Sequence, residues 1–75
     1  MAVGSPLSPA VWLDDIFASK AAIRGQVIRR NARDIEKFVG RKTIENELKR
    51  RGFQAVENAG QVIIFCNREP IRRIA

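Results

Sequence analysis

The sequence predicts a small α+β domain with three helices and a two- or three-stranded antiparallel sheet, in the order α-β-α-α-β-β. Apolar residues recur at helical spacing in three segments, each of which is followed by glycine. Two further apolar runs, separated by a short polar turn, predict a hairpin near the carboxyl end. The chain has 75 residues, which is enough for one domain. We assign that domain to residues 8–75, behind a flexible lead of residues 1–7.

The first predicted helix begins at Ser8 and runs to about Arg24. Ser8 is an N-cap residue, and Pro9 fits the first helical position because the N–H that proline lacks would have no partner there. The apolar face of this helix consists of Trp12, Leu13, Ile16 and Phe17. We assign Trp12 and Phe17 to the core rather than to a platform that stacks on bases.

The segment Gln26–Arg30 predicts a short strand, because it holds two adjacent β-branched residues. A helix over Asn31–Val39 follows. The asparagine at its start and Asp34 resemble a capping box, and the apolar residues at positions 35, 38 and 39 share one helical face. Arg33 and Lys37 point away from that face, as expected of a helix that crosses a phosphate backbone.

The third predicted helix, Lys42–Arg51, carries the candidate binding face. Ile44 and Leu48 stand four residues apart and are placed in the core, and Gly52 ends the helix. At about 100° per residue, the opposite face gathers Lys, Thr, Asn and Arg side chains with no acid at its centre. Such side chains neutralise phosphates and read base edges, so the face suits the major groove of DNA. The predicted binding residues are Arg33, Lys37, Arg41, Lys42, Thr43, Asn46, Lys49 and Arg50.

A hairpin forms the carboxyl-terminal part of the predicted sheet. Phe53–Asn58 is its first strand, Ala59-Gly60 lies in the tight turn, and Gln61–Asn67 is its second strand. Because the second strand is almost continuously apolar, we expect it to be central in the sheet and buried on both faces. Cys66 is then a small core residue rather than a reactive thiol.

The basic charge is concentrated in the middle of the chain. The formal net charge is +6, and residues 24–51 hold ten bases against four acids, which accounts for all of it. This concentration indicates a polyanion partner, although charge alone leaves DNA, RNA and an acidic protein open. A solvated face that keeps the domain soluble is the simplest alternative.

The composition argues against an enzyme and against a metal centre. The chain has no histidine and no tyrosine, and its one cysteine cannot form an internal disulfide or a zinc cluster. We expect no catalytic residue, no cofactor and no metal. The chain also lacks an apolar run long enough for a membrane span and the pattern of a signal peptide, so we expect a cytoplasmic protein with no membrane partner. A monomer and a homodimer are both compatible with this length.

The order helix, strand, helix, turn, helix, strand, strand over Ser8–Asn67 resembles a minimal winged helix-turn-helix domain. The resemblance implies that Asn31–Val39 is a positioning helix, that Lys42–Arg51 is a recognition helix and that the turn at Asn58-Ala59-Gly60 is the tip of the wing. Wings that grip DNA usually carry a base near the tip, and this turn has none. The arginines that could replace it from the following segment are Arg68, Arg72 and Arg73.

Two functions follow from these patterns. The first is a small transcriptional regulator that binds double-stranded DNA through its third helix. The alternative is a protein-interaction module or regulatory adaptor, which would bind an acidic protein through the sheet edge or through the helix that carries Trp12 and Phe17. RNA binding is disfavoured, because neither hairpin strand shows the exposed aromatic pairs that stack on unpaired bases.

Overall fold

The structure, a computed structural model, describes residues 8–75, so the predicted lead of residues 1–7 lies outside the described residues. The helices are α1 (Pro9–Phe17), α2 (Lys20–Ile23), α3 (Ala32–Phe38) and α4 (Arg41–Arg51), and the strands are β1 (Val27–Asn31), β2 (Gln54–Asn58) and β3 (Gln61–Phe65). The predicted α+β class is therefore confirmed. Within residues 8–75, no helix combines the length and the apolar character that crossing a membrane requires.

The amino-terminal helical region is two helices rather than the single helix predicted to reach Arg24. The first helix ends at Phe17, and Ser19 begins the second from an extended conformation (φ −65°, ψ 156°). The Ser19 hydroxyl accepts the backbone N–H of Ala22 at 3.3 Å, which is the hydrogen bond of an N-cap. This local bond competes with continuation of the first helix, and it corrects the predicted number of helices in the described chain from three to four.

The three strands form one antiparallel sheet in the order β1-β3-β2. The predicted central position of β3 is confirmed, since Ile64 pairs with Ile28 on one side and with Ala55 on the other. The prediction that this strand is buried on both faces is wrong. Ile64 is fully buried, whereas Ile63 and Phe65 point to the opposite face, where they are half-buried. The continuous apolar run therefore reflects one covered face and one partly covered face.

One hydrophobic cluster joins the helices to a single face of the sheet. The helices contribute Leu13, Ile16, Phe17, Ala22, Ala32, Ile35, Val39, Ile44 and Leu48 to it, and the sheet contributes Ile28, Val62 and Ile64. Cys66 is buried in the same cluster, as predicted, and burial raises the pKa of its thiol. The Cys66 thiol is therefore inert, because it is buried and stays protonated.

The turn between β2 and β3 has two residues, Ala59 (φ 52°) and Gly60 (φ 76°), and both have positive φ, as a type I′ turn requires. The backbone N–H of Ala32 donates to the carbonyl of Gly60 at 2.8 Å, so the start of α3 touches this turn. Because Asn31 pairs with Gln61, the last residue of β1 lies beside it as well. We call this region, Asn31 with residues 58–61, the turn end of the sheet.

Residues 66–75 follow the sheet without forming a further helix or strand. The Asn67 side-chain amide donates to the carbonyl of Gly25 at 2.9 Å, and the Gln54 amide donates to the carbonyl of Glu69 at 2.6 Å. The Arg68 guanidinium lies directly over Gly52, where a Cβ would clash with its Nε. These contacts fix the first part of the carboxyl-terminal segment at the end of the sheet opposite the turn end.

Candidate nucleic-acid interface

The orientation of α4 is set by Ile44 and Leu48, which are buried as their spacing predicts. Gly40 is the N-cap residue of this helix, and its backbone (φ 98°, ψ 142°) has a conformation that residues other than glycine rarely adopt. The predicted α4 residues that this orientation leaves exposed are Arg41, Lys42, Thr43, Asn46, Lys49 and Arg50. The predicted face is therefore accessible to a partner along the whole helix.

The two predicted residues on α3, Arg33 and Lys37, are also exposed. The Asn31 side-chain oxygen accepts the backbone N–H of Arg33 at 2.8 Å, and within the described residues only this half of the predicted capping box is formed. The Lys37 ammonium lies 5.4 Å from the ring centroid of Phe38, which stacks on Trp12 with the ring centroids 6.1 Å apart. Trp12 is thus used in packing, as predicted, and the Lys37 ammonium stays at the surface.

Two of the predicted cations already have carboxylate partners. The Arg41 Nη1 lies 2.6 Å from Glu57 Oε1, and its Nε lies 3.3 Å from Glu45 Oε2. Arg50 pairs with Glu47. The hydrogen bond that Arg41 donates to Glu57 raises the pKa of Arg41, and the bond that Arg50 donates to Glu47 raises the pKa of Arg50, so both guanidinium groups stay charged. Part of that charge is offset by the neighbouring carboxylates.

The other predicted cations are free of such pairing. Among residues 8–75, Arg33, Lys37, Lys42 and Lys49 form no salt bridge. All four are exposed, and a lone ammonium or guanidinium presents its full charge to an approaching anion. These four residues are therefore the cations of the predicted set that have no carboxylate partner among residues 8–75.

Glu47 binds Arg51 of the same helix, and Arg51 packs on α1. The Arg51 Nε lies 2.5 Å from Glu47 Oε2, and Glu47 binds Arg50 as well. The Arg51 guanidinium lies over the Phe17 ring, 4.5 Å from its centroid. The Glu47 side chain is only 16% exposed, and its hydrogen bonds to Arg50 and Arg51 lower its pKa despite the desolvation. Arg51 therefore serves packing rather than a partner.

A groove of about 350 Å³ separates α4 from β2. Its floor is apolar, and its rim carries carboxylates from α3, α4 and β2 as well as two cations. The charged residues of the rim are Glu36, Glu45, Glu57, Arg41 and Lys49. The side of α4 that faces β2 is consequently less positive than the side that faces solvent.

The turn end also gathers arginines that the sequence did not assign to the binding face. Arg29 and Arg30 lie near the end of β1, and together with Asn31 and Gln61 they line a shallow concavity of about 160 Å³. The sequence feature that points to these two arginines is the excess of basic residues in the middle of the chain. Their position beside the turn depends on the pairing of β1 with β3, which no local pattern specifies.

The chain matches no model of a protein family, no curated protein and no solved structure. Among the described residues, no group of three or more Cys, Asp or Glu side chains could hold a metal ion.

Proposed function

We propose that this chain is a small DNA-binding protein that regulates transcription, with α4 in the major groove of duplex DNA and α3 across the phosphate backbone. The observation that carries the proposal is the exposed face of α4. Ile44 and Leu48 fix the helix to the core, and the opposite side presents cations and an amide with no acid at its centre. Such a surface can bind phosphates and read base edges.

The arrangement of the elements supports a winged helix-turn-helix assignment. In that assignment α3, the turn at Gly40 and α4 form the helix-turn-helix, and the β2–β3 hairpin is the wing. The sheet order β1-β3-β2 places β1 beside the second strand of the wing. The two helices α1 and α2 together take the place of a single first helix.

The spacing along α4 assigns a role to each exposed residue. Lys42, Asn46 and Lys49 follow the spacing i, i+4, i+7, so they lie in one row along the helix. The two lysines are seven residues, or roughly 10 Å, apart along the axis. We assign them to phosphates on the two sides of the groove, and we assign Asn46 between them to a base edge, where an asparagine amide pairs best with adenine.

Binding of a fluorescent duplex, measured over a range of salt concentrations, tests this proposal. The logarithm of the binding constant should fall linearly with the logarithm of the salt concentration, with a slope of about −0.9 per neutralised phosphate. Replacing Lys42 and Lys49 by Ala should reduce that slope by about 2. Asn46→Ala should leave the slope unchanged and alter which sequences are enriched from a random duplex pool.

The matched control is the double variant Lys20→Ala with Arg24→Ala. These two exposed residues lie in and just after α2, and removing them lowers the net charge by the same amount. The control should change the slope far less than the α4 variant does. Binding of the unaltered chain that does not depend on salt, or equal slopes for the two double variants, would overturn the proposal.

The face of the sheet turned away from the helices supports a second candidate, a protein-interaction module. Val27 and Val56 are 50% and 42% exposed on that face, and Ile63 and Phe65 lie half-buried between them. The neighbouring Arg29 gives the face a positive charge that favours an acidic protein. If this face binds an acidic protein, Val27→Ser with Val56→Ser should abolish that binding. If the chain binds DNA through α4 instead, the same double variant should bind duplex DNA with unchanged affinity.

A further inference from the structure

We infer that Arg29 and Arg30, together with the already assigned Arg33, form a second phosphate-binding surface at the turn end of the sheet, next to a wing that carries no cation of its own. The inference rests on the proposed function, since it assigns further contacts to the same duplex. It concerns residues that approach the DNA from β1 and from the start of α3 rather than from the face of α4.

The turn itself has no means of neutralising a phosphate. Its four residues are Asn58, Ala59, Gly60 and Gln61, all uncharged, and the residue that precedes them is Glu57. A backbone and two amides can donate hydrogen bonds, but the long-range attraction that guides a protein to DNA needs cations. Those cations must come from a neighbouring element.

The pairing of β1 with β3 supplies them. Asn31 lies opposite Gln61, and Arg30 lies opposite Val62, so the end of β1 is adjacent to the turn at the usual strand separation of about 4.8 Å. The hydrogen bond from Ala32 to Gly60 holds the chain there as it enters α3. Arg33, the next residue, is exposed in the first turn of that helix.

Arg29 and Arg30 border the same concavity although neighbouring residues of a strand point to opposite faces. The Arg30 Nη1 donates to the carbonyl of Arg29 at 2.8 Å, so its guanidinium turns back along its own strand. Both arginines line the concavity of about 160 Å³ with Asn31 and Gln61. The planar donors of two guanidinium groups and two side-chain amides can be shared among the oxygens of one phosphate.

The charge of this surface is not used elsewhere in the described chain. Arg29, Arg30 and Arg33 form no salt bridge among residues 8–75, whereas Arg41 at the same end is held by Glu57. Arg68, one of the three tail arginines predicted as substitutes, lies over Gly52 at the opposite end. Arg29, Arg30 and Arg33 are therefore the free guanidinium groups beside the wing among the residues that the structure describes.

The surface also lies where it can share a duplex with α4. Arg41 in the first turn of α4 reaches Glu57, and Glu57 is two strands away from Arg30 in the same register row, a separation of about 10 Å. The start of α4 and the end of β1 are thus at the same end of the molecule. We place the duplex across this end of the sheet, where Arg30 lies on the face that carries the helices and Arg29 on the opposite face.

The test measures the salt dependence of duplex binding for Arg29→Gln with Arg30→Gln, and for Arg33→Gln alone. The double variant should lower the slope by about 2 and the single variant by about 1, with affinity reduced on the order of tenfold for the double variant at low salt. Arg29→Lys with Arg30→Lys keeps the charge and should retain most of the slope. A thermal melt of each variant reports folding, and Arg29→Gln alone, at an exposed position, carries the test if the double variant unfolds.

The matched control is Lys20→Gln with Arg24→Gln, two exposed cations in and just after α2 that belong to neither proposed surface. It should leave the slope within about half a unit of that of the unaltered chain. An equal effect of the control would overturn the inference, because it would show a response to net charge alone. If replacing Lys42 and Lys49 reduces the salt slope but replacing Arg29 and Arg30 does not, the inference is overturned and the proposed function stands. If the unaltered chain does not bind duplex DNA, both are overturned.

Discussion

Arg41 in α4 and Glu57 in β2 are joined by an ion pair in which Nη1 lies 2.6 Å from Oε1. The pair fastens the first turn of α4 to the strand that leads into the β2–β3 turn. Glu45, one helical turn further along, accepts the Nε of the same guanidinium at 3.3 Å. Two carboxylates therefore compete with any phosphate for this cation, one within the helix that we propose to enter the groove and one on the neighbouring strand.

Replacing Glu57 by Gln should strengthen duplex binding. The substitution removes a negative charge from the interface and releases Nη1 of Arg41 for a phosphate, so the salt slope should become steeper by about 1. Affinity at low salt should rise on the order of tenfold. Fluorescence anisotropy at several salt concentrations measures both quantities.

Glu69→Gln is the control for this substitution, because it removes the same charge from an exposed position in the tail. An equal gain with Glu69→Gln would show that only net charge matters. Weaker binding with Glu57→Gln would show that the ion pair positions α4 rather than restraining Arg41.

The depressed pKa of Glu47 makes stability depend on acid pH. Hydrogen bonds from Arg50 and then Arg51 lower the pKa of this carboxyl group in the folded chain, so the folded state binds its proton less readily than the unfolded state does. Its contribution is fully present above the unfolded pKa, about 4.5, and is lost as the pH falls through the folded value. Glu47→Gln should cost about 1 kcal/mol at pH 7 and progressively less below pH 4.5.

Urea unfolding at a series of pH values measures this difference. Glu45→Gln is the matched control on the same helix, since Glu45 is exposed and its pair with Arg41 is at the surface. Its effect should be small at every pH. A Glu47 effect that stays constant down to pH 3 would contradict the assignment of the depressed pKa to the folded state.

Most of the helices and strands could be predicted from the sequence because their causes, such as apolar spacing and turn residues, act over only a few residues. The stripe of Ile44 and Leu48 located α4, and the type of turn at Ala59-Gly60 located the hairpin. The break at Ser19 was missed because the apolar stripe continues across it to the buried Ala22. Periodicity reports which face is buried, and it does not report where a side-chain cap interrupts the backbone.

The candidate site could be predicted only where its contacts are local. Arg41 and Glu45 are four residues apart on one helix, so their pairing follows from spacing. Arg41 and Glu57 are sixteen residues apart, and they meet only because α4 packs beside β2. The placement of Arg29 and Arg30 beside the turn likewise depends on strand register, which is a property of the whole sheet.

The β2–β3 turn contains a residue with backbone strain that a substitution can remove. Ala59 has φ 52°, a left-handed conformation that costs a non-glycine residue roughly 1–2 kcal/mol. Asn tolerates this conformation, and Asn-Gly is the preferred pair for a type I′ turn, so Ala59→Asn should stabilise the chain by about 0.5–1 kcal/mol. Gly60→Ala, at φ 76° with open space around it, should destabilise it by about 1 kcal/mol. Thermal melts that moved in the other direction for Ala59→Asn would show that the turn is not of this type.

The link between the core and the proposed site can be tested at Ile44, which is 3% exposed and lies directly beneath the outward face of α4. Ile44→Ala leaves a cavity that should cost about 2–5 kcal/mol, which is comparable to the whole stability that a core of this size provides. The variant should therefore lose duplex binding because it unfolds. Ile44→Val should cost only about 0.5–1.5 kcal/mol and retain binding with an unchanged salt slope. Ile74→Ala, at a position that is 97% exposed, should stay within about 0.5 kcal/mol of the unaltered chain. If Ile44→Ala remained folded and bound DNA as before, α4 would not depend on this anchor, and the orientation that presents Lys42, Asn46 and Lys49 to the groove would lose its physical basis.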